Sequence, residues 1–286
     1  MPEGPEIRQA ADRVASAIEG QVARRVEFGL PHLARYGEQL SGHTVTAVET
    51  RGKAMITRFD CGLAVYSHNQ LYGRWFVVAA GKPPSTRRSL RFAVHAQQRW
   101  ALLYSASEIE VLDQAALDRH PFLSRLGPDA LDPEVTESVI RRRLERDEFR
   151  RRRLAGVLLD QGFVAGLGNY LRAEILFFAG VHPALRADDL DARQRRRLAR
   201  AIIRITRRSY ETGGLTDLPR RVARARRAGR SRREYRHAVF SRDGQPCRAC
   251  EHAIQRDELA GRRIYFCPRC QPLATARGHV LGVSES

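Results

Sequence analysis

Cys247-Arg248-Ala249-Cys250 and, sixteen residues further on, Cys267-Pro268-Arg269-Cys270 set the architecture of the C-terminal part of this 286-residue chain. The spacing C-x2-C-x16-C-x2-C reads as a zinc site. Each C-x2-C lets two thiolates close on one tetrahedral ion, and two such knuckles complete a closed four-cysteine site. Such a site has no open coordination position, so the expected single Zn2+ is structural and not catalytic. Disulfides are the alternative, and a basic chain of cytosolic type argues against them. Between the knuckles, Gly261-Arg262-Arg263-Ile264-Tyr265-Phe266 suits a β-ribbon that projects one or two arginines from a zinc-stapled loop. The fifth cysteine, Cys61, falls in a strand–turn region and is expected to be a packed free thiol.

Upstream of this module (residues 237–274) the sequence changes character. Residues 212–236 are of low complexity, with nine arginines and one acid, Glu234, between 220 and 236. A run of that kind is solvated or mobile, or it tracks phosphates. Before it, residues 136–146, 150–161, 168–179 and 188–211 read as helices. Ala165-Gly166-Leu167-Gly168-Asn169-Tyr170 opens the third of these. A Gly-rich turn at a helix N-terminus exposes backbone N–H groups and favours phosphate, and Asn169 is placed to cap the helix or contact DNA. Pro121, Gly127, Pro128 and Pro133 make residues 118–134 a linker, which carries Arg125 at the end of His120-Pro121-Phe122-Leu123-Ser124-Arg125.

Residues 22–105 hold short runs rich in Val, Phe, Tyr and Trp, at 44–49, 54–59, 63–67, 75–79, 90–96 and 100–104, punctuated by Gly and Pro. They predict a β-sandwich or barrel-like domain, with a short helix after Ser107. A helix over 5–20 leads in: Ile7, Ala10, Ala11, Val14 and Ile18 form one apolar face, and Gly20 ends it. Residues 275–286 read as a disordered tail. No internal repeat is evident.

The formal net charge is +18 and the apolar fraction 43%, enough for real cores. Such a balance favours a polyanionic partner, above all nucleic acid. A solvated basic surface or a ribosomal-type structural role is the alternative. Only two of the 50 basic side chains are lysines, Lys53 and Lys82. A lysine that stands where arginine is the rule points to a need for an amine that can lose its proton. Lys82 lies in a Gly-Lys-Pro-Pro loop; Lys53, in Arg51-Gly52-Lys53-Ala54 between two strand-like runs, is the better candidate. No run of 18 apolar residues exists and the N-terminus lacks an apolar signal core, so neither a membrane span nor a signal peptide is expected. The expected location is the cytoplasm, with nucleoid association if DNA is the partner.

The chain starts Met1-Pro2-Glu3-Gly4-Pro5-Glu6. Once Met1 is removed, Pro2 presents a secondary α-amine, with a pKa near 8 and so partly neutral at physiological pH. Its attack on an aldehyde carbon gives a cationic iminium ion, a strong electron sink. Glu3 places a carboxylic acid beside it, able to protonate a leaving group provided it holds its proton. The plainer reading is an ordinary start with Pro5 in the first turn of a helix. Ser67-His68-Asn69-Gln70-Leu71-Tyr72-Gly73-Arg74-Trp75 also has two readings. Its Gln70-Leu71-Tyr72 tip could wedge into a base stack vacated by an extruded nucleotide, or Tyr72 and Trp75 could pack inward from a plain turn.

Taken together, Pro2-Glu3-Gly4-Pro5-Glu6, the lysine after Arg51-Gly52, the Gly-Leu-Gly-Asn-Tyr turn and the four-cysteine module resemble the Fpg/Nei DNA glycosylases from residue 2 to about 271. Ile7-Arg8-Gln9-Ala10-Ala11-Asp12, residues 66–73 and Leu103-Tyr104-Ser105-Ala106-Ser107 are similar to the endonuclease VIII (Nei) branch. The Fpg branch would carry a Met-rich Gly/Ser segment at 67–73. The resemblance implies a multidomain α+β fold: an N-terminal helix plus β-sandwich, a helix–two-turn–helix domain and a zinc β-ribbon. It implies excision of oxidised pyrimidines followed by β,δ-elimination at the abasic site. Pro2 matches the Schiff-base nucleophile, Glu3 the general acid and Lys53 the lysine assigned to β-elimination. Arg262, five residues before Cys267, matches the ribbon arginine linked to δ-elimination and phosphate binding, with Arg263 adjacent. Gln70, Arg125 and Asn169 match DNA-contacting positions, and Leu71 and Tyr72 join them as DNA-binding candidates through the wedge reading of the loop.

The corresponding division is a catalytic helix and sandwich at 1–117, the linker at 118–134, the DNA-binding helices at 135–236, the zinc ribbon at 237–274 and the tail beyond. The expected partner is double-stranded DNA with damaged bases or abasic sites, bound by a monomer away from any membrane. Two other functions compete: an Fpg-type oxidised-purine glycosylase, and a non-catalytic zinc-ribbon DNA-binding protein. An N-terminal-proline tautomerase would account for Pro2 but leaves zinc and the +18 charge unexplained.

Overall fold

Gly4–Ile18 forms the first helix, α1, with Pro5 in its first turn and the Ile7, Ala10, Ala11, Val14 and Ile18 stripe buried. The computed structural model describes residues 2–273, so the expected tail at 275–286 lies outside the described residues. The chain divides into two compact units at residues 126 and 127.

The first unit continues with β1 (Arg25–Phe28), α2 (Arg35–Leu40), β2 (Val45–Arg51), β3 (Ala54–Phe59), β4 (Leu63–His68), β5 (Arg74–Ala79), β6 (Leu90–His95), β7 (Arg99–Tyr104), β8 (Glu108–Asp113) and α3 (Gln114–Asp118). The strands form two antiparallel four-stranded sheets, in the orders β1-β6-β7-β5 and β2-β3-β4-β8. Val26, Trp75, Phe92, Val94 and Leu103 of one sheet meet Val45, Met55, Phe59, Val65 and Ile109 of the other in one core. Helix α1 packs on strands of both sheets and adds Ala10, Val14 and Ile18 to that core. This is the expected helix-led sandwich, with two corrections. The segment after Ser107 is first a strand, β8, which pairs with β4 throughout; the short helix begins only at Gln114. Ile109 gives β8 a core-facing anchor, a pairing that local periodicity does not report. Cys61 is exposed rather than packed, because it lies in the β3–β4 turn, outside the pleat.

The second unit holds α4 (Glu137–Leu144), α5 (Asp147–Arg150), α6 (Leu154–Val157), α7 (Asn169–Ala179), α8 (Ala192–Glu211), α9 (Pro219–Arg227), α10 (Arg232–Tyr235), β9 (Gln255–Leu259) and β10 (Arg262–Phe266). The two helices expected over 136–146 and 150–161 are three shorter ones. The chain turns at Arg146 so that Phe149 reaches the core and meets Phe163 edge-on, ring centroids 5.1 Å apart. The last long helix starts at Ala192, capped by Asp191 and Gln194, not at 188. Apolar residues of α7, including Leu171, Ile175 and Leu176, share one core with Leu198, Ile202 and Ile205 of α8 and with Ile254, Ile264 and Tyr265 of the zinc module. The arginine-rich stretch is ordered into α9 and α10, which close on a small cluster of Leu215, Val222 and Tyr235.

Candidate active site and nucleic-acid interface

Glu3 is the N-cap of α1, and its backbone N–H donates to Oε2 of Glu6 at 3.1 Å. Its side chain is 2% exposed, an unusual place for a carboxylate, while Pro2 beside it is half-buried. Helix α1 thus sets Pro2 and Glu3 side by side at its head, with the Glu3 carboxylate buried.

Lys53 sits in the two-residue turn of the β2–β3 hairpin, whose flanking residues Arg51 and Ala54 pair. Gly52 has φ +61°, the left-handed first position that such hairpin turns demand. Although it belongs to a turn, Lys53 is only 9% exposed. His68 stands opposite Ala54 on the next strand. Burial lowers the His68 pKa; Glu108, at 3.4 Å, opposes that and Lys53 adds to it. The balance favours the neutral form of His68.

The loop after β4 projects Leu71 and Tyr72 and packs Trp75 inward, so the inward-packed reading holds for Trp75 and fails for Tyr72. Gly73 N–H donates to the Asn69 carbonyl at 2.7 Å, and Gln70 has φ +47°. A Cβ at Gly73 would lie 2.6 Å from the Asn69 backbone, so only glycine closes this turn. Leu71 and Tyr72 are thrust outward, 61% and 70% exposed, whereas Trp75 is buried in the core. Gln70 is pinned at both ends: Nε2 donates to Glu108 at 2.9 Å, and Oε1 accepts from Ser107 Oγ at 2.9 Å. Glu108 also accepts from the buried Tyr66 hydroxyl at 2.9 Å. Glu108 anchors the loop and went unrecognised in the sequence, because the segment after Ser107 reads as helix. Arg125 ends an exposed 3-10 turn, Leu123–Arg125.

In the second unit, Gly168 caps α7 and Asn169 is its first residue. The preceding turn is laced by Gln161, whose Oε1 accepts from Gly166 N–H at 3.1 Å and whose Nε2 donates to the Leu167 carbonyl at 2.9 Å. Asn169 Nδ2 donates to the Arg263 carbonyl at 3.1 Å, and its Oδ1 accepts from Arg172 at 2.7 Å. Arg172 is fully buried and also donates to the carbonyls of Leu259, Arg262 and Arg263. This clamp fixes the tip of the β9–β10 ribbon, whose Ala260-Gly261 turn has φ of +57° and +67°. It brings Asn169 and Arg262 together. Arg262 and Arg263 are both exposed at the start of β10, so both arginines are available to a ligand.

Further along α7, the buried Glu174 accepts from Thr216 Oγ1 at 2.6 Å and from the backbone N–H groups of Ala238, Val239 and Phe240 at 2.8, 2.8 and 2.9 Å. Burial raises its pKa against the pull of these donors. Arg172 and Glu174 read as ordinary polar positions of a helix; that both face inward shows only in the packing.

The four sulfurs of Cys247, Cys250, Cys267 and Cys270 converge within 4.8 Å of one another. Three of the separations are 3.9, 3.4 and 3.4 Å. Four thiolates about 2.3 Å from one zinc ion define a tetrahedron with edges of roughly 3.8 Å, so the donor set fits the ion. Backbone N–H groups of Ala249 and Cys270 point at Cys247 and Cys267 sulfur at 3.4 and 3.5 Å, a supporting shell for the metal ligands. Gln271 ties the knuckle to the helical core, accepting from Cys267 N–H at 3.0 Å and donating to the Val181 carbonyl at 2.9 Å. The module holds one structural zinc ion.

A helix-led β-sandwich, a helix–two-turn–helix unit and a zinc ribbon define a class, that of the DNA repair glycosylases. Residues 1–114 match the Formamidopyrimidine-DNA glycosylase N-terminal domain, residues 126–218 the H2TH domain of the same proteins, and residues 244–273 the zinc finger found in FPG and IleRS. The chain is 48% identical to Endonuclease 8 of Escherichia coli K12 over 271 residues, which is 95% of this chain and 100% of that protein. Identity to Endonuclease 8 of Shigella flexneri is also 48% over the same coverage. Among solved structures, Lactococcus lactis Fpg with DNA containing an oxidised pyrimidine superposes with a TM-score of 0.77 at 23% identity, covering 95% of this chain and 100% of that one. The same enzyme with abasic-site DNA gives 0.77 at 22% identity, covering 94% and 99%. The chain belongs to the Fpg/Nei family, and within it to the Nei type, a DNA glycosylase and AP lyase of base excision repair. Among the described residues, no helix is long and apolar enough to cross a membrane.

Proposed function

We propose that this protein removes oxidised pyrimidines from double-stranded DNA through a Schiff base on Pro2, followed by β,δ-elimination. The observation that carries the reading is the Pro2–Glu3 pair at the head of α1, with the acid 2% exposed. The target base is extruded from the helix, at a cost of a few kcal/mol that is lower for a damaged base. The Pro2 nitrogen, freed by loss of Met1, attacks C1′. The C1′–N bond breaks, and the base departs with the electron pair and a proton from Glu3. The nitrogen loses its proton and its lone pair expels the ring oxygen: the C1′–O4′ bond breaks, O4′ takes up a proton, and the resulting open-chain iminium ion acidifies the C2′ proton. Its removal, assigned to Lys53, expels the 3′ phosphate; a second elimination, assisted by Arg262, expels the 5′ phosphate.

Gln70, Leu71 and Tyr72 fill the gap left by the extruded nucleotide, since an exposed apolar tip on a locked turn suits insertion between bases. Arg125 and Asn169 hold backbone phosphates. We retain the division into 1–117, 118–134, 135–236 and 237–274 as functional modules. The protein acts as a monomer in the cytoplasm, at the nucleoid.

Borohydride trapping on duplexes carrying one lesion tests this directly. A covalent adduct with thymine glycol DNA, lost in Pro2→Gly and stronger than with 8-oxoguanine opposite C, is the expected result. Preference for the purine would overturn the pyrimidine assignment. Absence of any adduct from protein whose intact mass shows Met1 removed would overturn the catalytic reading and leave a zinc-ribbon DNA binder.

A further inference from the structure

We propose that a cavity of about 560 Å³ formed by α9, the α9–α10 turn and the start of the zinc module is a second phosphate-binding site, built for two adjacent phosphates. It lies within the second unit and involves none of the residues assigned above to catalysis or DNA contact. Five guanidinium groups line it, from Arg221, Arg224, Arg230, Arg242 and Arg248, with Glu234 the one acid among the lining residues.

Local packing aims these groups. Val222 and Ala225 seat α9 on Leu215 and Tyr235, and Arg226 lies over the Tyr235 ring at 5.5 Å. With that side fixed, Arg221, Arg224 and Ala228, at i, i+3 and i+7, line the cavity together. Ala225 and Ala228 leave room that longer side chains would fill.

The charges do not balance internally. Arg221 and Arg248 share one buried carboxylate, Asp217. Arg230 pairs with Glu234 at 3.0 Å. Arg242 is 7% exposed, yet its guanidinium is held by neutral oxygens: the Ala238 carbonyl, the Pro246 carbonyl at 2.9 Å and Gln245 Oε1 at 3.2 Å. Asp217 and the buried Glu174 favour the charge on Arg242 through space without pairing to it, so five cations meet three carboxylates. A buried cation with no ion pair of its own is costly, and a ligand anion would supply the missing charge. Converging planar forks match phosphate oxygens in bidentate geometry, and a multiply charged oxyanion balances the excess where a single carboxylate would not. Two sources offer this chemistry: the phosphodiester backbone of DNA, for which the proposal rests on the glycosylase reading, and a free oligophosphate, for which it does not.

The test uses the full-length, zinc-loaded chain and the surface double variant Arg224→Ala/Arg230→Ala, which leaves the buried Arg242 bonds in place. Inorganic pyrophosphate is titrated calorimetrically, and undamaged duplex binding is measured by anisotropy across a salt series. The site is expected to appear as at least a tenfold loss of pyrophosphate affinity in the variant, a lowering of the log K against log salt slope by about two, one for each lost phosphate contact, or both. A lower slope identifies the DNA backbone as the source, whatever pyrophosphate does. Loss of pyrophosphate affinity at an unchanged slope identifies a free oligophosphate. If wild-type protein binds no pyrophosphate, or the variant binds it as well, and the slope is also unchanged, the proposal is wrong. Borohydride trapping by the wild-type protein is run in parallel: its failure strikes the glycosylase reading and leaves a pyrophosphate result standing.

Discussion

Glu3 illustrates how one residue carries two demands. It is the N-cap of α1 and a buried acid beside Pro2, the proposed nucleophile. The Glu3→Gln variant keeps shape but not the proton, so excision of an oxidised base is expected to fall by about 10²- to 10⁴-fold, the range of general-acid catalysis. Cleavage of a preformed abasic site, which has no base to expel, should fall far less; single-turnover assays on the two substrates measure the difference. Leu71 and Tyr72 make the opposite case. They are exposed large apolar side chains with no core role, so Leu71→Ser/Tyr72→Ser should change unfolding free energy by less than about 0.5 kcal/mol while lowering excision from duplex DNA at least tenfold. Equal loss on single-stranded substrate would argue against a wedge. Both residues were legible in the sequence as members of a polar–aromatic loop. Their exposure was not, since the same letters serve an inward-packed turn.

At the scale of elements, the zinc ribbon and α7 behave as one device. Arg172 donates to three ribbon carbonyls and to Asn169, so an uncharged truncation leaves several buried oxygens without donors. Arg172→Met should destabilise the zinc-loaded protein by about 2–5 kcal/mol, a magnitude set by orphaned buried acceptors, and urea unfolding at fixed zinc measures it. The sequence disclosed the knuckles because ligand spacing is a local code. It disclosed the ribbon turn less fully and the clamp not at all, because Arg172 and its carbonyl partners lie about 90 residues apart in the chain. The expectation of a short helix straight after Ser107 misses β8 for the same reason: β8 exists because β4 offers it a partner.

For the molecule as a whole, charge and buried polar groups set the response to pH. His237 Nδ1 donates at 2.9 Å to Thr216 Oγ1, whose own proton goes to Glu174, and the ring lies against Tyr170, with ring centroids 5.0 Å apart. Burial, reinforced by Arg236, Arg232 and Arg248, pushes its pKa down to about 3. The native state therefore refuses a proton that the unfolded chain accepts near pH 6.5. Stability from this residue is complete above about pH 6.5 and declines as pH falls toward 3, by roughly 1.4 kcal/mol per unit at most. Denaturation midpoints of wild type and His237→Gln, compared from pH 7 to 5, should converge as the pH drops; parallel curves would contradict the assignment. The +18 charge was visible at once and pointed to a polyanion, whereas the cationic cavity under α9 was not, because a run of arginines does not say which of them converge.

The sequence by itself determined the zinc ligands, the helix-led sandwich and the helical unit, and it singled out Pro2, Glu3 and Lys53 as the groups proposed to react. These depend on spacing, periodicity and side-chain chemistry, which neighbouring residues carry. Tertiary structure alone decided that Glu3 and Lys53 are buried, that Leu71 and Tyr72 project, and that Arg172, Glu174 and Glu108 hold the functional loops. Each of these rests on desolvation and on hydrogen bonds to distant segments, and such partners exist only once the chain has folded.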